Sequence, residues 1–400
     1  MGQRSERHID SLDGLRGIAI LLVFFFHYLP RNPHSPLSWL ASVGWSGVDL
    51  FFVLSGFLIT GILYDTRESS NFFRVFYARR ALRLFPLYFF AVGIVLLVGA
   101  LLHTAMRWVA IPFYIYGANI MLAVRGGVPN FTPYFQCIHF WSLSVEEQFY
   151  SLWPLVVFFV RKRRTLMMIC AGGMLGALVL RIVLTRLQVS TWVLYAQLPT
   201  RMDALLAGAL LALALRGPRP DAWRRRGGLY MLMGVSLLIL ALLFIRARSF
   251  IFSSGEMTSW GYSAFAGVYL SILALALIPG TVPSLIGRAS VLRFFGRYSY
   301  GLYVWHDLPS PVCVSWQGWF LRNIHPLVLG QTVYALAMLA LFTGVAVGSY
   351  HLLELRFLEL KSRFRYAKPI KESPDQRRLQ MHTGVTPASP QVKKQVLPPL

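Results

Sequence analysis

Long apolar runs separated by short basic segments form the main pattern along the chain. Hydrophobic residues make up 56% of the sequence and charged residues 14%, against roughly 25% charged residues in an average soluble domain. Division at the basic segments predicts ten apolar spans of about 14 to 23 residues, near residues 11–30, 45–64, 84–102, 140–160, 165–184, 203–216, 229–245, 260–279, 298–315 and 328–350. The pattern therefore predicts an all-α, polytopic membrane bundle of about ten transmembrane helices, formed by residues 1–365.

A further apolar segment, residues 109–124, does not fit a single membrane crossing. If it crossed once, the basic cluster at 161–164 would lie on the same side as the loops that are poor in Lys and Arg. We therefore predict a re-entrant or interfacial segment that is broken at Pro112 and covers a cavity, because irregular backbone at membrane depth persists only where protein or water surrounds it. An eleventh transmembrane helix is the alternative.

The basic residues are distributed unevenly along the chain. The formal net charge is +23, and 30 of the 39 Lys and Arg residues fall in six segments that alternate with loops holding only eight. This is the positive-inside pattern of a membrane protein, in which the basic segments face the cytoplasm. The positive charge therefore indicates membrane topology and not nucleic-acid binding. We expect a protein of the bacterial cytoplasmic membrane with both termini in the cytoplasm. Residues 366–400 lack an apolar period, and we expect a disordered cytoplasmic tail there.

The first span carries two ionisable residues, Arg16 and His27, in an otherwise apolar stretch. They are eleven positions apart, which is about three helical turns, so both side chains fall on one face about 16 Å apart along the axis. This spacing excludes an ion pair and predicts one polar face with a cation near one membrane surface and an imidazole deeper in the membrane. We interpret this face as part of a reaction path. A helix-packing histidine and an interfacial arginine anchor are the alternatives.

The second span carries Asp49 near its outer end, and this side chain must face a partner or water because a carboxylate in lipid is unfavourable. The cytoplasmic segment after it holds Arg79, Arg80 and Arg83. Arg79 and Arg83 are at i and i+4, on one helical face beside the membrane, where guanidinium groups suit phosphate oxygens. Binding of lipid headgroups is the alternative, since the phenylalanines of this segment could place it on the bilayer surface.

The fourth span opens with polar residues at helical spacing. His139, Ser142 and Glu146 recur at i, i+3 and i+7 and predict a polar stripe, while Glu147 lies about 100° round the helix. Two adjacent carboxylates at the end of an apolar helix need partners. We hypothesise that Glu146 pairs with Arg201, at the head of a later span.

Two later spans carry further polar candidates. Arg201 stands two residues before Asp203. In the ninth span, Ser299, Tyr303 and His306 share a face at i, i+4 and i+7, with structural hydrogen bonding as the alternative role for His306. The three cysteines lie far apart in no metal-ligand spacing, so we predict no metal site.

Together, these residues resemble the integral-membrane acyltransferase family, acyltransferase family three, which includes bacterial O-antigen and nodulation-factor O-acetyltransferases. The resemblance covers about residues 10–355. Seven motifs in order carry it: Arg16 with His27, Gly47–Phe52 with Ser55 and Gly56, Arg79–Pro86, Trp141–Tyr150, Arg201–Asp203, Gly296–His306 and Glu354.

The resemblance implies a ten-helix fold and transfer of an acyl group, usually acetyl from acetyl-CoA, to a hydroxyl of a carbohydrate or other acceptor. Combined with the residue pattern, it gives His27, Arg16 and Glu146 catalytic roles. Three arginines are expected to bind the donor: Arg79, Arg80 and Arg83. The remaining candidates are expected to bind the acceptor or to make structural polar contacts: Asp49, Ser142, Glu147, Arg201, Asp203, Tyr303 and His306. An acyltransferase for a cytoplasmic small molecule such as a macrolide, or a transporter of sugar-lipid cargo, remains an alternative.

Overall fold

The computed structural model describes residues 9–29, 38–103, 107–127, 132–247 and 250–367. Apart from two residues, the tail predicted at 366–400 lies outside the described residues. Helices and turns make up the described chain, with no strand in these ranges. The α-helices are α1 (Asp10–Tyr28), α2 (Ser38–Val43), α3 (Gly47–Thr66), α4 (Phe72–Leu101), α5 (Arg107–Tyr114), α6 (Ala118–Arg125), α7 (Phe140–Phe159), α8 (Arg163–Arg186), α9 (Thr191–Ala196), α10 (Leu198–Leu215), α11 (Arg226–Ala247), α12 (Tyr262–Ala276), α13 (Val282–Gly287), α14 (Ser290–Arg297), α15 (Ser299–His306), α16 (Ser310–Asn323), α17 (Leu327–Ser349) and α18 (Leu355–Leu360).

Eight helical segments of the described chain are long and apolar enough to cross a membrane. They are Asp10–Tyr28, Ala41–Thr66, Phe72–Leu101, Arg163–Arg186, Thr191–Leu215, Arg226–Ala247, Met257–Ala276 and Leu327–Arg363. Each of them overlaps one of the ten predicted spans. The all-α, polytopic membrane bundle expected from the sequence is confirmed.

The two other predicted spans differ from these eight. The span at 140–160 is the helix α7, which is 20 residues long but more polar. The span at 298–315 is not one helix, because α15 ends at His306 and α16 begins at Ser310. Pro309 and Pro311 lie at this break and have no amide hydrogen to continue a helical ladder. The expectation of a continuous ninth span is therefore corrected.

The third span is longer than predicted. The helix α4 begins at Phe72, 12 residues before the expected start at position 84, and runs through Pro86. Pro86 frees the carbonyl of Leu82 from its helical hydrogen bond, and interior prolines are tolerated in membrane helices when neighbouring groups satisfy the freed backbone. In the same turn of α4, the Tyr300 hydroxyl donates to the carbonyl of Leu84. The arginines therefore lie on the same continuous helix as the apolar run that follows them.

Residues 107–125 form two short helices, α5 and α6, of eight residues each. Each is about 12 Å long, too short to cross a hydrocarbon core of roughly 30 Å. Gln148 on α7 holds the segment, donating to the carbonyl of Tyr116 at 3.2 Å and to Oδ1 of Asn119 at 2.9 Å. The geometry agrees with a segment that does not cross, but the break falls between the two helices. Pro112, where the break was expected, lies inside α5.

The helices α3 and α10 pack at backbone contact through glycines. A Cβ atom on Gly56 would lie 1.8 Å from the carbonyl oxygen of Leu205, and one on Gly208 would lie 2.0 Å from that of Val53. Small residues of this kind let membrane helices approach closely. The helix α1 packs against α3, α12, α14, α15 and α17, so its polar face lies within the bundle.

Candidate active site

A cavity of about 90 Å³, open to solvent at its mouth, lies between α1, α3, α4, α7 and α15. Three arginines of the described chain line it, Arg16 from α1 and Arg80 and Arg83 from α4. Glu146 from α7 is the only carboxylate among the described residues that line it. We call this site the arginine cavity. Three cations against one carboxylate give the residues that line it an excess of positive charge.

Contacts in the wall hold these groups in place. Ser55 donates to Oε1 of Glu146 at 2.6 Å. The guanidinium of Arg80 lies 5.0 Å from the centre of the Tyr150 ring, a cation–π distance. Arg16 donates from Nη1 to Oδ1 of Asp13, one turn earlier on α1, at 3.1 Å. Protein contacts therefore hold the guanidinium groups of Arg16 and Arg80.

Arg79 is placed differently from the other two arginines of α4. It is half-buried and does not line the arginine cavity. In the chain after α18, burial raises the pKa of the Tyr366 phenol, and the hydrogen bond with Thr66 and the charges of Arg79 and Arg80 oppose that shift. The face of α4 that meets the cavity is therefore the i, i+3 pair Arg80 and Arg83, and not the i, i+4 pair expected from the sequence.

A second polar group lies at the far end of α1, and we call it the histidine cluster: His27, His139, His306 and Asp307. The centroids of the His27 and His306 rings are 4.9 Å apart, and those of His139 and His306 are 5.4 Å apart. Oδ2 of Asp307 lies 3.3 Å from Nδ1 of His139, and its Oδ1 accepts from Gln136 at 3.0 Å.

Sequence reasoning missed Asp307 and Gln136. The signal for Asp307 was a carboxylate inside the predicted ninth span, next to His306. Gln136 lies in a loop, where no periodicity marks it.

A hydrogen bond of His27 selects the tautomer that its ring adopts when neutral. Its Nδ1 lies 2.8 Å from the carbonyl oxygen of Val23. A carbonyl oxygen only accepts, so Nδ1 carries the proton and Nε2 carries the lone pair of the neutral ring. A neutral imidazole with a fixed tautomer is suited to removing a proton from a hydroxyl group.

Tyr303 connects the two groups. Its side chain lines the arginine cavity, its hydroxyl donates to the carbonyl of His139 at 3.0 Å and contacts the hydroxyl of Ser142, and its ring centroid lies 5.5 Å from that of His306. The polar stripes predicted on α7 and α15 are therefore in contact. Ser142 and Tyr303 lie between the arginines and the histidines.

Arg201 does not pair with Glu146, and that hypothesis is wrong. Arg201 donates from Nη2 to Oδ1 of Asp49 at 2.7 Å, with both side chains buried. Arg181 donates to Oδ2 of Asp203 at 2.7 Å, also in the interior. The packing of α10 against α3 and α8 directs Arg201 toward Asp49, while Glu146 meets Ser55.

These two buried ion pairs lie outside the arginine cavity, so Asp49, Arg201 and Asp203 have structural contacts. Arg181 was not singled out as a site residue, although an arginine within an apolar helix was a signal that it had a buried partner. Glu147 is half-buried and also lies outside the lining of the cavity.

Comparison with known proteins gives a family match over most of the chain. The model described as "Acyltransferase domain" matches residues 9–351. The peptidoglycan O-acetyltransferase OatA of Listeria monocytogenes is 31% identical over 334 residues, which are 77% of this chain and 51% of that protein. The O-acetyltransferase OatA of Staphylococcus aureus is 29% identical over 339 residues, 81% of this chain and 53% of that protein. The chain thus spans about half the length of these curated relatives. No solved structure matches it.

Proposed function

Because the chain belongs to the acyltransferase family whose model matches residues 9–351, we propose that it transfers an acyl group, which is acetyl. The donor is cytoplasmic acyl-CoA, and the acceptor is a hydroxyl of a cell-surface or lipid-linked carbohydrate. One observation carries the proposal: α1 joins two chemically different half-sites, with Arg16 in the arginine cavity and His27 in the histidine cluster. The arginine cavity suits a donor that carries phosphates, and the histidine cluster suits an acceptor hydroxyl that must lose a proton. The names of the two relatives support an O-acetyl transfer.

The arginine cavity is the proposed donor site. Acetyl-CoA is polyanionic, and in the topology that the basic segments predict, the start of α4 faces the cytoplasm. Arg80 and Arg83 bind its phosphate oxygens in this proposal, since guanidinium groups form paired hydrogen bonds with phosphate. Arg16 guides the donor, whose thioester extends along α1 towards His27. Glu146 keeps the guanidinium groups oriented.

The histidine cluster is the proposed acceptor site. Neutral His27 accepts the proton of the acceptor hydroxyl on Nε2, a contribution of about 10² to 10⁴ in rate for a well-placed general base. Transfer of the acyl group through His27 itself is the other form of the mechanism. Ser142 and Tyr303, which lie between the two half-sites, position the carbohydrate beside the thioester.

Vesicle assays test the proposal. Membrane vesicles from cells that carry the full chain are supplied with acetyl-CoA labelled in the acetyl group, at the cytoplasmic face. We expect the label in ester linkage on carbohydrate that is lipid-linked or outside the cytoplasmic face. Label on a small molecule at the cytoplasmic face would instead support the macrolide-type reaction, and movement of sugar-lipid without any incorporated label would support a transporter. Either result would overturn the proposed function.

A further inference from the structure

Glu354 is a buried acidic residue that the proposed mechanism does not use. It ends a π-helical turn, Tyr350–Glu354, that follows α17, and turns of this kind are frequent at functional sites. The residue is only 7% exposed, and its Oε1 atom has no hydrogen-bond partner among the described residues. Buried charges are normally paired with an opposite charge, so this carboxylate indicates a cation close to it.

The fold places Glu354 against the wall of the arginine cavity. A Cβ atom on Gly301 would lie only 3.3 Å from Oε1 of Glu354, so the absence of a side chain at Gly301 leaves room for the carboxylate. Tyr300, next to Gly301 on α15, lines the cavity and donates from its hydroxyl to the carbonyl of Leu84 on α4. The π-helical turn also packs against α4. Glu354 itself does not line the cavity, so its carboxylate lies outside the space that a ligand would occupy.

Arg83 is the cation that Glu354 can stabilise. It precedes Leu84 on α4 and lines the cavity, and its charge lies within electrostatic reach of Glu354. Attraction between opposite charges does not require a hydrogen bond, and it is stronger in a protein interior than in water. The other two cavity arginines, Arg16 and Arg80, are held by contacts of their own. Glu354 therefore gives the third arginine of the cavity a charged partner as well.

We propose that Glu354 is a positioning residue for the donor site, whose negative charge orients the guanidinium of Arg83 toward the phosphate oxygens of the acyl-CoA donor. The inference rests on the proposed function of the arginine cavity as the donor site. Because the carboxylate lies outside the cavity, the bound phosphates do not meet it. Without the carboxylate, the long side chain of Arg83 must be ordered when the donor binds, and this ordering lowers the affinity.

Substitutions at Glu354 separate this role from simple packing. Glu354→Gln removes the charge and keeps the size and a side-chain acceptor oxygen. Glu354→Met also lacks the charge and is similar in length, for use if the glutamine variant does not reach the membrane. Glu359→Gln is the matched control, because it removes the same charge from an exposed position on the neighbouring helix α18. Each substitution of Glu354 is also combined with Arg83→Gln, and the thermal unfolding of each purified full-length protein reports any loss of fold.

The measurement is the initial rate of label transfer to vesicle carbohydrate over a range of acetyl-CoA concentrations at the cytoplasmic face. The vesicles come from a host whose own copy of the gene is deleted. We expect Glu354→Gln to raise the half-saturating acetyl-CoA concentration about 3- to 30-fold, a usual size for the coupling of two interacting residues. The maximal rate stays within about twofold of the wild type, because the lost interaction affects donor binding alone. In the Arg83→Gln protein, the same substitution of Glu354 leaves the half-saturating concentration unchanged, and Glu359→Gln matches the wild type.

Two results would overturn the inference. One is a half-saturating concentration at or below the wild-type value in the Glu354 variants, and the other is a full additional rise in the Arg83→Gln protein, because the carboxylate would then act independently of Arg83. If Arg83→Gln itself leaves the half-saturating concentration unchanged, the proposed donor site fails first, and the inference fails with it. A raised value in Arg83→Gln together with a wild-type value in Glu354→Gln would contradict the inference alone and leave the proposed function standing.

Discussion

Ser55 on α3 donates a hydrogen bond of 2.6 Å to Oε1 of Glu146 on α7. This bond fixes the one carboxylate among the described residues that line the arginine cavity. Arg16 and Arg80 lie within electrostatic reach of it. A single negative charge held between guanidinium groups orients them while the cavity as a whole stays cationic.

Glu146→Gln tests this electrostatic role, because glutamine keeps an oxygen that can accept from Ser55 and removes the charge. We expect a loss of about 10- to 100-fold in the maximal transfer rate, since a charge-assisted contact with the arginines is lost, and little change in the unfolding temperature. Ser55→Ala, which removes a neutral donor and leaves the charge, is the matched control and should lose less activity. Equal losses in the two variants would count against a role for the charge.

Arg83→Gln tests the donor site. Removal of one guanidinium that binds phosphate should raise the half-saturating acetyl-CoA concentration roughly tenfold or more, and leave the dependence on acceptor unchanged. Arg74→Gln is the control, because Arg74 is on the same helix, is exposed and lies outside the cavity. If both variants need the same acetyl-CoA concentration as the wild type, the arginine cavity is not the donor site.

Asp49→Asn tests the buried ion pair with Arg201. Because it leaves a buried guanidinium without its carboxylate, we expect a loss of about 3–5 kcal/mol in the free energy of unfolding. The control is Asp221→Asn, which breaks the pair with Arg224 at the surface, where the Asp221 side chain is 91% exposed. That pair should contribute about 1 kcal/mol or less. Chemical unfolding in detergent micelles measures both, and similar losses would refute the distinction.

Gly56→Ala tests the contact between α3 and α10. The added methyl group would lie 1.8 Å from the carbonyl oxygen of Leu205, so the two helices must separate, at a cost of roughly 1–3 kcal/mol or more. Gly93→Ala on α4 is the control, since its added methyl group would meet nothing within 4 Å. Membrane abundance and unfolding temperature should fall for the first variant alone; an unchanged Gly56→Ala protein would contradict the packing described.

The sequence predicted the parts of the fold that depend on hydrophobic length and on charge. Eight of the ten spans overlap helices that could cross a membrane, because such a helix requires a long apolar run. The start of α4 was misplaced, since Pro86 suggested a helix start and the arginines before it suggested a surface. A membrane helix can contain both when neighbouring helices satisfy its backbone and side chains.

Candidate residues were easier to find than their partners. Periodicity placed Ser142 and Glu146 on one face, and both line the arginine cavity. Periodicity within one helix does not report which helix lies opposite, so Arg201 was assigned to Glu146 when its partner is Asp49. Asp307, which contacts His139 from another segment, was missed for the same reason.

His27 carries the central claim, and the most direct test is the transfer of label from acetyl-CoA to carbohydrate by the His27→Ala protein. The variant is compared with the wild type in the same vesicles, at equal membrane abundance and equal unfolding temperature. The account predicts that transfer falls about 10²- to 10⁴-fold, because the hydroxyl loses its general base. A His27→Ala protein that O-acetylates carbohydrate at the wild-type rate would contradict it.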